Sequence, residues 1–196
     1  GALAPYYLES AVVYRDWLLQ TGSSGAKKLE NWQAIGRMFF EGGDLESAAD
    51  LVRQGLERFG NVSTAKPEDL QLCRYYLARC NDAISEKLVK EDKDASRLFA
   101  ETGRLLADHL MVEGSRYKNA RDVWRIAART WGGFLYEQQS GNLRYYPGLG
   151  DFSRALDVWR KNIKATAENG SDDYWEATFY EYYLRYKLAE ASKSQP

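Results

Sequence analysis

Gly43-Asp44-Leu45-Glu46-Ser47-Ala48-Ala49-Asp50-Leu51-Val52-Arg53 lines up without gaps on Gly150-Asp151-Phe152-Ser153-Arg154-Ala155-Leu156-Asp157-Val158-Trp159-Arg160, with Gly, Asp, Ala, Asp and Arg recurring in register. Both stretches run from Gly-Asp into apolar residues three and four apart, the spacing of one helical face. An Asp just ahead of such a run caps a helix by accepting a backbone N–H that has no partner inside it. A shorter echo, Ala120-Arg121-Asp122-Val123-Trp124-Arg125, precedes Ala155-Leu156-Asp157-Val158-Trp159-Arg160 by 35 positions. A period of that size belongs to stacked helical hairpins.

Working outward, the same spacing predicts eight helices and no strand. They cover about 3–20, 28–41, 45–59, 67–90, 94–112, 116–139, 151–168 and 173–191. The breaks fall on loop-forming residues: Thr21 to Gly25, Gly42-Gly43-Asp44, Asn61 to Lys66, Asp92 to Asp94, Gly114, Gly141 to Gly150 and Asn169-Gly170-Ser171. Pro67 suits a first helical turn, where its missing N–H costs nothing. Asp44 and Asp151 are the expected caps, and two helices joined only by Gly42-Gly43-Asp44 should pack antiparallel.

Residues 29–62 resemble a tetratricopeptide repeat. The family's first helix reads Trp, two residues, Leu-Gly, two residues, Tyr, and this chain has Trp32, Ile35, Gly36 and Phe39 at those spacings, with Ala48, Val52 and Gly55 at the small and aromatic positions of the second helix. Gly36 and Ala48 would remove bulk where two backbones cross, while Trp32 and Phe39 fill the groove beside them. Elsewhere the pattern is degenerate. In the 35-residue register a first helix would cover about 137–148, where Gly141, Pro147 and Gly148 oppose it. In the last segment Trp175, Thr178, Phe179 and Tyr182 keep the spacing with altered residues. The resemblance implies an all-α fold of antiparallel hairpins stacked as a right-handed solenoid. It divides one domain, 1–196, into an N-terminal helix and loop (1–28), the best repeat (29–62), degenerate hairpins (63–170) and a terminal capping helix (171–196). It also implies a concave peptide-binding face lined by first helices. The reading requires Gly36 close to Ala48 and no sheet in the body of the molecule.

Composition narrows the chemistry. Lys and Arg number 27 against 28 Asp and Glu, a net charge of -1, so no chain-wide field favours nucleic acid. No window approaches about 18 uninterrupted apolar residues, so membrane insertion is not expected. One histidine, His109, and two cysteines, Cys73 and Cys80, are too few for a His-cluster or four-cysteine metal site. Cys73 and Cys80, seven apart on one helical face, read as core thiols, and His109, among leucines, as a half-buried histidine. Acidic pairs such as Glu91-Asp92 and Asp172-Asp173 fit solvated helix ends. The glycine clusters lack the strand, Lys-Ser/Thr and helix of a phosphate loop. No cofactor, metal or catalytic residue is expected.

The 6 Trp, 14 Tyr and 7 Phe are the richest feature. Most must fill gaps between helices, but Tyr174, Trp175, Phe179, Tyr180, Tyr182, Tyr183 and Tyr186 exceed what one buried stripe holds, so some rings should face a partner. In the register of that resemblance, counting from Trp32 implies Gln33, Arg37, Phe40 and Glu41 on the concave side, and Glu176, Tyr180, Tyr183 and Lys187 on the corresponding face of the last helix. The expected function is a non-enzymatic interaction or scaffold module binding a peptide or partner helix. The alternatives are a helical enzyme with an aromatic cleft and paired carboxylates, acting on carbohydrate or another small molecule, and a fragment of a longer solenoid.

Overall fold

A computed structural model of the protein describes residues 3–20, 24–138 and 141–193. The chain divides into two compact units, Gly1–Ile84 and Ser85–Pro196. In the first, helix α1 (Ala4–Leu19) packs on α2 (Leu29–Gly42), and α2 on α3 (Leu45–Phe59); α4 (Pro67–Lys90) begins in this unit and ends in the second. Asp44 caps α3, its carboxylate accepting from the Ser47 N–H at 3.0 Å. Gly36 gives the crossing of α2 and α3 its closeness: a Cβ there would lie 2.4 Å from Val52 Cγ2 and 3.6 Å from the Ala48 carbonyl oxygen. The expected juxtaposition of Gly36 and Ala48 is therefore present. Trp32 is buried beside Gly55, and its indole N–H donates to the carbonyl of Ala26, six residues back, at 3.1 Å.

The second unit holds α5 (Ser96–Leu105), widening into a π-turn over Leu106–Leu110; α6 (Arg121–Gly132); strands β1 (Phe134–Glu137) and β2 (Leu143–Tyr146); α7 (Phe152–Val158), widening over Trp159–Lys164; and α8 (Asp172–Lys193). The fold is thus mostly helical, with eight α-helices among the described residues. The hairpin corrects the expectation of no strand, and with it falls the concave-groove assignment, which required no sheet in the body. The hairpin also shortens the helix expected over 116–139 to Arg121–Gly132 and rules out the first helix that the 35-residue register put at 137–148. Gly133 turns the chain out of α6 with φ of +84°, and any Cβ on it would lie 1.8 Å from the Tyr146 carbonyl oxygen. A side chain here would strain the backbone and block the strand approach.

The hairpin is antiparallel, pairing Phe134 with Tyr146, Leu135 with Tyr145, Tyr136 with Arg144 and Glu137 with Leu143. Alternation sends its two faces to different neighbours. Phe134 and Tyr146 join Val89, Ala95 and Phe99 in an apolar cluster, with the rings of Phe99 and Tyr146 stacked at 5.0 Å. On the other face Tyr145 meets the ring of Tyr183 at 4.6 Å, and its hydroxyl donates to the Gly132 carbonyl.

The α6–α7 pair repeats several features of the α2–α3 pair. Trp124, Ala127, Ala128 and Trp131 keep the spacing of Trp32, Ile35, Gly36 and Phe39. The Trp124 indole N–H donates to the Lys118 carbonyl, again six residues back, at 2.6 Å. Asp151 caps α7 by accepting from the Arg154 N–H at 3.1 Å. A Cβ on Gly132 would lie 2.4 Å from Ala155 Cβ. The capping Asp follows the Trp by 12 positions in the first pair (Trp32 to Asp44) and by 27 in the second (Trp124 to Asp151), so the second carries 15 more residues, which accommodate the β-hairpin.

Candidate interaction surface

α8 starts at Asp172-Asp173, where carboxylates are favoured by the free N–H groups of the first turn. Asp173 also accepts from Arg121 at 3.1 Å and Arg125 at 2.7 Å, and Arg125 reaches Glu176 at 2.6 Å. The inward face of the helix is fixed by Ala177, Tyr180 and Leu184, all buried. The Tyr180 ring stacks on Trp159 at 4.7 Å, and its hydroxyl accepts the Leu135 N–H at 3.1 Å, tying α8 to the π-turn and to β1. Burial raises the pKa of that hydroxyl despite this hydrogen bond.

The opposite face is apolar and open. Trp175, Phe179, Tyr182 and Tyr186 are 60%, 45%, 66% and 57% exposed. Their separations of four, three and four residues place them in one row along the helix. One edge of the row is cationic. Glu181, a buried carboxylate, takes Lys164 at 2.8 Å, Arg185 at 2.6 Å and Arg160 at 3.4 Å. The hydrogen bond from Lys164 holds its carboxyl below the usual range, helped by the charges of Lys164, Arg185 and Arg160. Three cations on one carboxylate leave positive charge in excess, and the Arg160 and Arg185 side chains remain half exposed. The other edge mixes signs: Glu176 with Arg125, and Lys187 with Glu190 at 3.0 Å.

The sequence-predicted residues of this helix thus fall one position from the open row. Tyr180 is buried, Tyr183 is half-buried against Tyr145 and Phe179, and Glu176 and Lys187 are held in ion pairs on the mixed edge. Their placement took the side next to the Trp175 row as the open one, whereas on α8 the row itself is open and the positions beside it turn inward or into ion pairs. In the first unit Gln33 is buried, Arg37 and Glu41 form an exposed pair at 3.7 Å, and Phe40 packs edge-on against Tyr76 at 5.5 Å under the Arg79 guanidinium. Only Arg37 and Glu41 of those four are open to solvent.

The other candidates resolve into structure. Cys73 and Cys80 are fully buried, and burial pushes both thiols up to about 12, so thiolate is not populated near neutrality. His109 is half-buried in the π-turn that follows α5. Among the described residues no group of three or more His, Cys, Asp or Glu is placed to hold a metal ion, and no helix is long and apolar enough to cross a membrane. A cavity of about 320 Å³ in the first unit is bordered by Lys27, Lys28, Lys66, Glu30 and Asp69, but Glu30 already lies 3.8 Å from Lys28 and 3.5 Å from Lys66. α1 also exposes large apolar side chains, Tyr6 and Tyr7 near its start and Val13, Tyr14 and Trp17 further on, in two groups that Ser10 separates. Comparison of the chain with family models, curated proteins and solved structures finds no match.

Proposed function

We propose that the protein is a helical interaction module of tetratricopeptide type that seats a helical segment of another protein on the outer face of α8. The row Trp175, Phe179, Tyr182 and Tyr186 carries this reading, because four large rings in line are costly to leave in water and are the residue types that dominate binding energy when a partner covers them. The twin hairpins support the repeat assignment. Each joins a first helix with a buried Trp to a second helix that an Asp caps, and at each crossing a glycine lies against a side chain of the second helix. The 15 residues that separate their connections account for the degenerate spacing.

A displayed library of helical peptides, selected on the intact protein, tests this. Selected peptides should lose at least about tenfold in affinity on the Trp175→Ala/Phe179→Ala variant, a loss typical of buried aromatic anchors. The reading fails if every selected peptide keeps its affinity there while Arg37→Ala/Glu41→Ala abolishes binding.

A further inference from the structure

The row on α8 has a counterpart that is already occupied. On α2 the face presented by Trp32 and Gly36 is covered by α3, through Gly55 and Val52. Trp175 and Phe179 stand four apart on α8 as Trp32 and Gly36 do on α2. The two faces differ in one respect that constrains any occupant. Phe179 fills the place where glycine lets α3 come close, so a helix crossing α8 must keep small side chains opposite that ring.

Charge selects further. Along one side of the row Arg160, Lys164 and Arg185 converge on Glu181, and two of the three side chains stay half exposed. An occupant with carboxylates on the flank facing them would complete this cluster; one with lysines there would meet like charge at close range. The mixed opposite edge imposes no comparable preference.

Building on the interaction reading above, we infer that the partner is an amphipathic, acidic-flanked helix. It lies antiparallel along α8 in the position α3 takes on α2, with small residues over Phe179 and carboxylates toward Arg160, Lys164 and Arg185. Its binding is salt-sensitive, because the charged edge is partly open to water.

Calorimetric titration of the full chain with two synthetic helices tests this. Both share one leucine and alanine seam; one carries glutamates on its flanks and the other lysines. The expected result is that the glutamate helix binds about tenfold more tightly at low salt, the scale of a few partly exposed charge pairs. That advantage should shrink in Arg160→Gln/Arg185→Gln while Trp175→Ala/Phe179→Ala removes binding of both. Equal binding of the two helices, lost in Trp175→Ala/Phe179→Ala, would overturn the acidic partner and leave the helix seat standing. Absence of binding by either helix up to about 1 mM would overturn both. Sedimentation velocity supplies a second arm: a dimer that disappears in Trp175→Ala/Phe179→Ala would assign the face to a second copy of this chain instead.

Discussion

The α2–α3 and α6–α7 hairpins solve one packing problem with two different connections. In the first, Gly42-Gly43-Asp44 carries the chain directly from one helix to the next; in the second, a two-stranded sheet stands between them. Each pair has a glycine in close contact with the second helix, though not at matching positions: Gly36 lies against Val52 in one, and Gly132, one turn further along the first helix, against Ala155 in the other. The bonds ahead of each pair are kept, each Trp indole reaching a carbonyl six residues back. What the pairs share is therefore the indole bond and the Asp cap, whatever the length of the connection. What the longer connection adds is a second set of contacts: its strands occupy the space beside α8, through Leu135 to Tyr180 and Tyr145 to Tyr183. α8 is held on its inner face by the same insertion that distinguishes the two pairs.

The largest expected effect lies at the point where they diverge. Gly133→Ala combines a positive φ with a Cβ 1.8 Å from the Tyr146 carbonyl oxygen, so the strand pair must move. Backbone strain and overpacking together should cost about 3 kcal/mol or more. Denaturant titration measures the loss. Hydrogen exchange should place it at Phe134–Glu137 and leave α2 and α3 protected; equal loss in α2 would contradict the division into units.

Next come the two seams. Gly36→Ala gains helix propensity of about 1 kcal/mol, Gly132→Ala at the last position of α6 less, and both drive a methyl to 2.4 Å from a neighbour. Overpacking of about 1–3 kcal/mol outweighs that gain. The pairs differ in how they can be rescued. Val52→Ala removes the atom that Gly36→Ala meets and should restore much of the loss. The obstacle to Gly132→Ala is the Ala155 methyl itself, with Leu184 Cδ2 3.2 Å away, so Ala155→Gly should restore less. Double-mutant cycles on unfolding free energy distinguish the two patterns.

Acid should separate the units too. Glu181 is held ionised by its hydrogen bond from Lys164 and the surrounding cations; Glu86, whose burial acts the other way, is pulled down by Lys90 and Arg129. Both belong to the second unit. A carboxylate lowered on folding contributes stability above its unfolded pKa, about 4.3 for Glu, and loses that contribution as pH falls through the folded value. Protection factors, which correct for the intrinsic slowing of exchange in acid, should fall first in α6, α7 and α8 between pH 7 and 3, and Glu181→Gln should remove much of that acid response.

Which parts of this were legible in the sequence follows from where the signals lie. Period and caps are local, so α2, α3 and the start of α7 were readable from Gly-Asp and apolar spacing, and Gly36 against Ala48 followed. The hairpin was missed although Phe134-Leu135-Tyr136-Glu137 and Leu143-Arg144-Tyr145-Tyr146 are β-favouring runs flanking Gly141-Asn142. Aromatic residues serve helix and strand alike, and a repeat register drawn through Ala120 and Ala155 tied a first helix to a second one. The open row of α8 is not legible for a related reason. α8 has rings all round, so periodicity does not say which are buried; Tyr180 was fixed inward by Trp159 and Leu135, contacts from distant sequence.

The smallest effect tests whether the paired caps are truly equivalent. Asp44 and Asp151 accept from the N–H three residues on, at 3.0 and 3.1 Å, and removal of such a cap costs about 1 kcal/mol. The helices behind them are unequal. α3 continues as a regular helix from Leu45 to Phe59, while α7 is regular only from Phe152 to Val158 before its π-turn. Fraying from an uncapped start therefore reaches Ala155, the residue opposite Gly132, within the first turn of a short helix. Asp151→Ala should cost at least as much as Asp44→Ala, and the loss should be transmitted to α6 through that contact. Matched unfolding curves and exchange at Trp131 and Gly132 would show it. A smaller loss for Asp151→Ala would mean that the β-hairpin, rather than the cap, holds the start of α7.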